Sequence, residues 1–245
     1  MDGKIIRQTI AGRECSLYLP PDYEESLKHY PVVYVIGGED LQETILLMEP
    51  HFSLDCEAFI LVAVGSVNWN KEFSPWEAER LFKKEEPFSG GAQEFLVCLE
   101  EKIKGFMDEN YRTKKEPEHS CLIGYSLAGL TALYGLYQTS AFKRIASISG
   151  SLWYEDFTSY MERNKPKARD AKVYLSLGLN EEKSRNPRMA LVGERTKEAF
   201  EILKKELEGQ GEVLLEWNPG GHFDEVTLRY QKALLWLMGI GQEHI

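Results

Sequence analysis

The sequence is poor in cysteine, has no long hydrophobic run and carries no excess of basic residues. Its cysteines form no C-x-x-C pair, so we expect neither a disulfide framework nor a zinc site, but buried free thiols in a reducing compartment. No run of eighteen apolar residues occurs, which argues against a membrane span. The first residues lack the apolar core of a signal peptide, so we expect a cytoplasmic protein. The cysteines are Cys15, Cys56, Cys98 and Cys121.

The charge balance restricts the partners. The net charge is −10, and an acidic surface repels nucleic acid and anionic lipid, so we expect neither nucleic acid nor a membrane as a partner. A small-molecule substrate is compatible with this charge.

The 245 residues, of which 43% are hydrophobic, suffice for one large core, and no linker, repeat or low-complexity tract divides them. We therefore expect a single domain over 1–245.

Strands alternate with helices through most of the chain. This order predicts an α/β fold with a mainly parallel central sheet, an N-terminal antiparallel hairpin and helices on both faces. The predicted strands cover 4–10, 14–19, 31–36, 59–64, 120–124, 145–148, 173–177 and 213–217. The predicted helices cover 41–49, 92–110, 127–139, 189–208 and 222–237. Ligands of such sheets bind beyond the carboxyl ends of the strands, so side chains at those ends are the candidates for function.

One stretch resembles neither a strand nor a helix. Residues 66–92 are irregular and rich in aromatic side chains, and a loop this long is uncommon unless it is functional. We expect it to cover a pocket in which Trp69 and Trp76, together with Trp153, stack on a planar aromatic acyl group. The alternative is that these side chains belong to the core of an insertion.

A serine lies at the sharpest predicted turn. Gly124-Tyr125-Ser126-Leu127-Ala128-Gly129 follows an apolar strand and precedes a long helix, and such a corner projects the serine hydroxyl above the sheet. The small residues allow the backbone to turn tightly and the helix to pack closely on the strand. Ser126 is therefore the candidate nucleophile. The alternative is an ordinary helix N-cap without chemistry.

The other parts of a serine-hydrolase site follow in the expected chain order. His222 comes after a Gly-Gly turn at the end of the last strand, where a free imidazole can approach Ser126, and is the candidate base. Glu181 follows the preceding strand and is the candidate acid that orients the imidazole. Glu182 and Asp224 are its alternatives. No metal ligands and no cofactor motif accompany them.

The oxyanion hole would be formed by backbone N–H groups. The N–H of Leu127 lies at the start of the helix after Ser126, and a second donor is expected after the strand 31–36, at Gly38 or Glu39. Backbone donors leave no mark in a sequence, so this assignment follows from position alone. Gly37-Gly38 could equally form an ordinary tight turn.

Several segments together resemble a known family. The chain is similar, over about residues 14–240, to the α/β-hydrolase fold and within it to the esterase D-like group, which includes the ferric-siderophore trilactone esterases. Where relatives often have Asp-Gly after the strand 31–36, this chain has Gly37-Gly38. The matching segments are Tyr30-Pro31-Val32-Val33-Tyr34, Asn110-Tyr111-Arg112-Thr113, the serine turn, Ser149-Gly150-Ser151-Leu152-Trp153 and Gly220-Gly221-His222.

The resemblance implies a serine hydrolase that needs no metal or cofactor, with Ser126 as nucleophile and His222 as base. A siderophore-type trilactone or another aromatic acyl ester is the implied substrate, since the group also includes feruloyl esterases. An inactive protein of the same fold that binds a ligand or partner is the alternative. An acyltransferase that uses the same residues is a third hypothesis.

Overall fold

An eight-stranded sheet runs through the computed structural model, which describes residues 1–38 and 41–240. Two further strands, β5 and β6, pair in a separate antiparallel ribbon. The strands are β1 (Lys4–Ile10), β2 (Arg13–Leu19), β3 (Val32–Ile36), β4 (Ile60–Val64), β5 (Glu77–Ala78), β6 (Phe88–Ser89), β7 (Ser120–Tyr125), β8 (Arg144–Ile148), β9 (Lys172–Gly178) and β10 (Glu212–Asn218).

The spatial order of the main sheet is β1-β2-β4-β3-β7-β8-β9-β10. β1 pairs with β2 and β2 with β4 in antiparallel fashion, whereas every later pair is parallel. The predicted hairpin and mainly parallel sheet are therefore confirmed. The carboxyl ends of the parallel strands meet at one edge, and β7, which leads into Ser126, lies near the middle of that edge.

Helices connect the parallel strands. Four short 3₁₀ turns supplement them, at Glu49–His51, Pro117–His119, Glu181–Lys183 and Met189–Leu191. The helices are α1 (Gln42–Met48), α2 (Trp69–Glu72), α3 (Ala92–Cys98), α4 (Gly105–Asn110), α5 (Leu127–Gln138), α6 (Phe157–Arg163), α7 (Val192–Glu206) and α8 (Val226–Met238), and a π-helical segment, Leu99–Lys104, joins α3 to α4.

Two hydrophobic cores lie on opposite faces of the sheet. β3 shows the division, because its side chains alternate between the faces: Tyr34 belongs to one core, and Val33 and Val35 belong to the other. All five residues of β3 are buried, as the unbroken apolar run predicts for a central parallel strand. α1 and α8 cover one face, and α3, α5, α6 and α7 cover the other.

Two helix predictions differ from the structure. The last helix begins at Val226, not at His222, because Glu225 has a φ of 52° and the Gly221 N–H donates to the Asp224 carboxylate in a local turn. His222 thus lies on a loop. α6, which buries Phe157, Thr158 and Met161, was not predicted.

The segment 66–92 is more regular than expected. It contains α2 and the β5–β6 ribbon, and its core residue Phe73 is fully buried against Trp69 and Phe95.

The prediction for the thiols also needs one correction. All four cysteines are free, but Cys98 is only half-buried. Among the described residues, the helices are too short or too polar to cross a bilayer.

Candidate active site

Ser126 lies between β7 and α5 with a backbone that non-glycine residues seldom adopt. Its φ is 59° and its ψ is −125°. The Ser126 N–H donates to Ile148 O (3.0 Å), and its carbonyl accepts from the N–H groups of Leu130 (3.1 Å) and Ser151 (3.0 Å). These bonds to the neighbouring strand end and to α5 fix the strained corner, and strain of this kind is typical of functional sites.

Glycine is required beside this corner. A Cβ on Gly124 would overlap the carbonyl of Ala128, and one on Gly129 would lie 3.0 Å from Gly124 O and 3.1 Å from the Cα of Gly150. The first turn of α5 therefore packs directly on the backbone of β7 and of the β8 loop. This contact sets the direction in which α5 leaves the sheet and hence the position of Ser126.

His222 reaches Ser126 from the loop after β10. Its Nε2 lies 3.0 Å from Ser126 Oγ, and its Nδ1 lies 2.7 Å from Glu181 Oε2. A carboxylate can only accept hydrogen bonds, so Nδ1 carries the proton and Nε2 is free to accept from the Ser126 hydroxyl. The structure thus brings together three side chains from three separate loops in the order serine, imidazole, carboxylate.

Glu181 is held in place by the continuation of strand pairing into the loops. The Leu179 N–H donates to Asn218 O and the Asn180 N–H to Gly220 O, both at 2.9 Å, so the loop after β9 follows the loop after β10. The Glu181 side chain is only 4% exposed. Its Oε1 accepts from the Gly178 N–H at 2.7 Å, while Oε2 faces His222.

The electrostatics of the site favour an ionised Glu181. Burial favours the uncharged carboxyl, but the hydrogen bonds from His222 and from the Gly178 N–H outweigh this effect and hold the pKa of Glu181 below its usual value. An ionised carboxylate next to Nδ1 favours the imidazole tautomer with the proton on Nδ1.

The alternative acids lie elsewhere. Glu182 is exposed and its carboxylate approaches Gly193 at the start of α7. Asp224 accepts from the Gly221 N–H at 2.6 Å and shapes the turn that carries His222. Neither contacts His222 Nδ1, which Glu181 occupies.

Of the expected oxyanion donors, Leu127 lies directly beside Ser126, whereas Gly38 lies on the turn after β3. Leu127 opens α5 and lines the same cavity as Ser126. The Gly37 N–H is bonded to Val64 O at 3.0 Å, and a Cβ on Gly37 would lie 3.1 Å from the Cβ of Ala128. The turn after β3 is therefore next to the start of α5. Gly38 continues this turn, and Glu39 lies outside the described residues.

A cavity of about 290 Å³ opens over Ser126 and His222. Trp69 and Trp153 both line it, with exposures of 41% and 9%. Its other apolar lining residues are Leu81, Phe88, Leu127, Met189, Val192 and Phe223, and its polar ones are Asn70, Glu85, Ser149, Ser151 and Glu181.

Trp76 is placed differently from the expectation. It is not among the residues that line this cavity. Its ring packs against Tyr154, Phe157 and Tyr160 with centroid distances of 5.4–6.3 Å, and its Nε1 donates to Glu155 O at 3.1 Å. For Trp76, the structure agrees with the alternative interpretation of a core residue within the 66–92 segment.

The described residues 1–38 and 41–240 contain no group of three or more histidine, cysteine or acidic side chains arranged to hold a metal ion.

A comparison with known families decides the assignment. Residues 10–233 match the family model described as "Putative esterase". The chain belongs to this esterase family. Membership supports an ester-hydrolase function and a small-molecule substrate, and it confirms the resemblance that the segments around Ser126 and His222 indicated.

Relatives of this esterase include YbbA of Bacillus subtilis strain 168, described as uncharacterized, which is 28% identical over 244 residues, with 98% of each chain covered. An IroE-like serine hydrolase from Shewanella oneidensis has a similar structure, with a TM-score of 0.83, 17% identity, and 96% of this chain and 80% of that one covered. The enterobactin esterase FES from Shigella flexneri gives a TM-score of 0.73 at 15% identity, covering 97% of this chain and 58% of that one. At such identities the structures show a shared α/β-hydrolase fold.

One residue that contacts Glu181, Arg229, was not among the candidates from the sequence. Arg229 in α8 is fully buried and donates to Glu181 Oε1 at 3.0 Å. A signal was present: Arg229, Ala233 and Leu237 recur every four residues, so the arginine lies on the apolar stripe of α8. A charged residue on a buried stripe needs a buried partner, and Glu181 is that partner.

Proposed function

We propose that this esterase is a serine hydrolase that cleaves a small carboxylic ester through an acyl-enzyme, with Ser126 as nucleophile, His222 as base and Glu181 as the orienting acid. The observation that carries the proposal is the unbroken chain of hydrogen bonds Ser126 Oγ–His222 Nε2 (3.0 Å) and His222 Nδ1–Glu181 Oε2 (2.7 Å).

In the first half-reaction, Ser126 Oγ attacks the ester carbonyl while His222 Nε2 takes the hydroxyl proton. The carbonyl oxygen becomes an oxyanion, which the N–H of Leu127 and an N–H from Gly38 or Glu39 would stabilise. Removal of one such donor costs about 3 kcal/mol in comparable enzymes. The C–O bond then breaks and the imidazolium returns the proton to the leaving alcohol.

In the second half-reaction, water takes the place of the alcohol. His222 Nε2 removes a proton from the water as it attacks the acyl-enzyme, and the proton passes to Ser126 Oγ when the acid leaves. The Glu181 carboxylate stabilises the imidazolium in both halves. The strained Ser126 backbone holds Oγ against the cavity in both halves.

The lining of the cavity supports an aromatic acyl group. Trp69, Phe88 and Trp153 provide flat apolar walls, and the charged residues that line the cavity, Glu85 and Glu181, are both acidic. A planar acyl group of low charge fits this chemistry. A siderophore-type trilactone is the second substrate class, because FES is named an enterobactin esterase and EstB of Aspergillus nidulans, another protein of similar fold, a siderophore hydrolase.

The same contacts favour an enzyme over an inactive binding protein. A protein kept only for binding has no need of a serine in a strained conformation, paired with an oriented imidazole and a buried carboxylate. Acyl transfer to another alcohol would use identical residues and would be revealed by product analysis with competing alcohols.

The nucleophile is tested with Ser126→Ala. A fluorophosphonate probe should label the native protein and leave this variant unlabelled, and turnover of p-nitrophenyl esters should fall on the order of 10⁶-fold in kcat. The control is Ser140→Ala, an exposed serine just past the far end of α5. Turnover within about tenfold of the native rate in Ser126→Ala would remove Ser126 from this role.

The substrate class is tested by comparing kcat/KM for p-nitrophenyl benzoate, a feruloyl ester, p-nitrophenyl acetate and a trilactone siderophore with and without iron. The aromatic walls predict a preference for the aromatic acyl esters over acetate. A preference for acetate would count against the assigned acyl pocket while leaving the serine mechanism intact.

A further inference from the structure

Arg229 makes more contacts than a simple ion-pair partner of Glu181 requires. Its side chain has no exposed surface. Nη1 donates to Glu181 Oε1 (3.0 Å), Ser149 Oγ (2.6 Å) and Tyr125 OH (3.3 Å). Nη2 donates to the carbonyls of the turn before His222, Pro219 O (3.1 Å) and Gly221 O (2.7 Å).

These acceptors belong to the ends of four different strands. Tyr125 ends β7, Ser149 follows β8, Glu181 follows β9, and the 219–221 turn follows β10. Tyr125 OH also donates to the carbonyl of His222. The guanidinium therefore contacts the backbone at Gly221 directly and the backbone at His222 through Tyr125. One planar group thereby connects the loop of the acid with the loop of the base.

We propose that Arg229 is a positioning residue of the active site, which sets the Glu181 carboxylate and the His222 loop at the separation that catalysis requires. The proposal rests on the proposed function, because it assigns Arg229 an action through Glu181 and His222. Arg229 does not line the cavity and is not expected to touch the substrate.

The planar guanidinium suits this role better than an ammonium group. Its two terminal nitrogens point in fixed directions, so Nη1 and Nη2 can bond the carboxylate and the turn carbonyls simultaneously. A lysine would supply the charge but would not match all five acceptors. The two contributions of Arg229, charge and shape, can therefore be separated by substitution.

The charge also acts on the protonation of the pair. The titratable groups that face Glu181 are His222 from the β10 loop, Arg229 from α8 and Tyr125 from β7. Loss of a buried positive charge makes proton uptake by the Glu181–His222 pair more favourable, whichever member takes the proton. A protonated pair cannot accept the Ser126 proton. Without the Arg229 charge, activity should therefore be lost at a higher pH as the solution is acidified.

The test compares Arg229→Met and Arg229→Lys with the native protein. In Arg229→Met, kcat/KM should fall about 10- to 100-fold and the acid limb of its pH profile should move up by about one pH unit. In Arg229→Lys, kcat should fall while the acid limb stays in place. The matched control is Lys232→Met. Lys232 is a cation on the same helix, but its side chain donates to Glu216 and Asn218.

A purely structural arginine gives a different result. Arg229→Met would then lower the melting temperature, and the acid limb would remain where it is in the native enzyme; that outcome overturns the proposal. A second test makes Arg229→Lys in the Glu181→Gln protein. It remains available even if Arg229→Met does not fold. Since Arg229 acts through Glu181, Arg229→Lys should lower kcat/KM of the Glu181→Gln protein by less than about threefold. A loss as large as in the native background contradicts the role.

Failure of the proposed function can be distinguished from failure of this inference. Proton uptake by the pair can be followed without turnover, from the ¹³C-histidine resonance that disappears in His222→Gln. An upward shift of that titration in Arg229→Met supports the inference even if Ser126 proves inactive. An unchanged titration contradicts it even if Ser126 is the nucleophile.

Discussion

At the scale of single residues, Glu181 combines burial with charge. Its carboxylate is almost inaccessible to water, yet its pKa stays low, because His222 and the Gly178 N–H donate to it. Desolvation of a carboxylate is unfavourable, so this arrangement persists only where donors surround both oxygens. Ser126, with its strained backbone, is a residue at which local stability is reduced in favour of geometry.

We expect Glu181→Gln to lower kcat by about 10⁴-fold, because the amide can donate to Nδ1 and thereby stabilise the wrong imidazole tautomer. Steady-state kinetics on a p-nitrophenyl ester measures this loss. Glu182→Gln and Asp224→Asn serve as controls for the two alternative acids. A larger loss in either control than in Glu181→Gln would reassign the acid.

The same variant tests the pH dependence of stability. The pKa of Glu181 is lower in the folded protein than its ordinary value of 4.5, so its stabilising contribution is complete above that pH and is lost as the pH falls through the folded pKa. The difference in melting temperature between native protein and Glu181→Gln should therefore be large near neutrality and shrink below about pH 4.5. A difference that is constant with pH would contradict the lowered pKa.

At the scale of elements, the packing of α5 on β7 determines where Ser126 lies. We expect Gly124→Ala to destabilise the protein by about 3 kcal/mol, because the new Cβ has no space against the Ala128 carbonyl. Urea denaturation measures the loss. The control is Gly105→Ala in α4, where a Cβ meets no atom within 4 Å and helix propensity predicts a gain of about 0.5 kcal/mol. Equal stabilities for the two variants would show that the contact is not tight.

The segment 66–92 contains two tryptophans with different expected roles. Trp69→Ala should raise KM for an aromatic ester about tenfold, because Trp69 lines the cavity. Trp76→Ala should lower stability by about 3 kcal/mol, because its ring packs among four other aromatic rings. Kinetics and calorimetry on both variants test the assignment, and the reverse pattern would exchange their roles.

At the scale of the whole molecule, the two cores determine which groups meet solvent. Burial raises the pKa of Cys15 to about 11 and that of Cys56 and Cys121 to about 12, whereas Cys98 is only half-buried. A thiol reagent such as dithiobis(nitrobenzoate) should thus modify one thiol of the native protein quickly and the others only on unfolding. Cys98→Ser should abolish the fast phase. Fast reaction of a second thiol in that variant would contradict the described packing.

The parallel or antiparallel character of the strands follows largely from local patterns. Unbroken apolar runs such as β3 and β7 predict buried parallel strands, and the alternation in β1 and β2 predicts a hairpin. Turns are harder to predict: the start of α8 depends on a left-handed Glu225 and on the bond between Gly221 and Asp224. A sequence pattern encodes burial over many residues, whereas a single turn depends on a few atoms.

By itself, the sequence determined the α/β class, the nucleophile turn and the choice of Ser126, His222 and Glu181 as candidates, because each of these depends on residue type and order along the chain. Only the tertiary structure decided that Glu181 rather than Glu182 or Asp224 faces the imidazole, that Trp153 lines the cavity while Trp76 does not, and that Arg229 connects the loops. These outcomes depend on distances between residues far apart in the chain, and such distances are set by the packing of strands and helices, which no local pattern specifies.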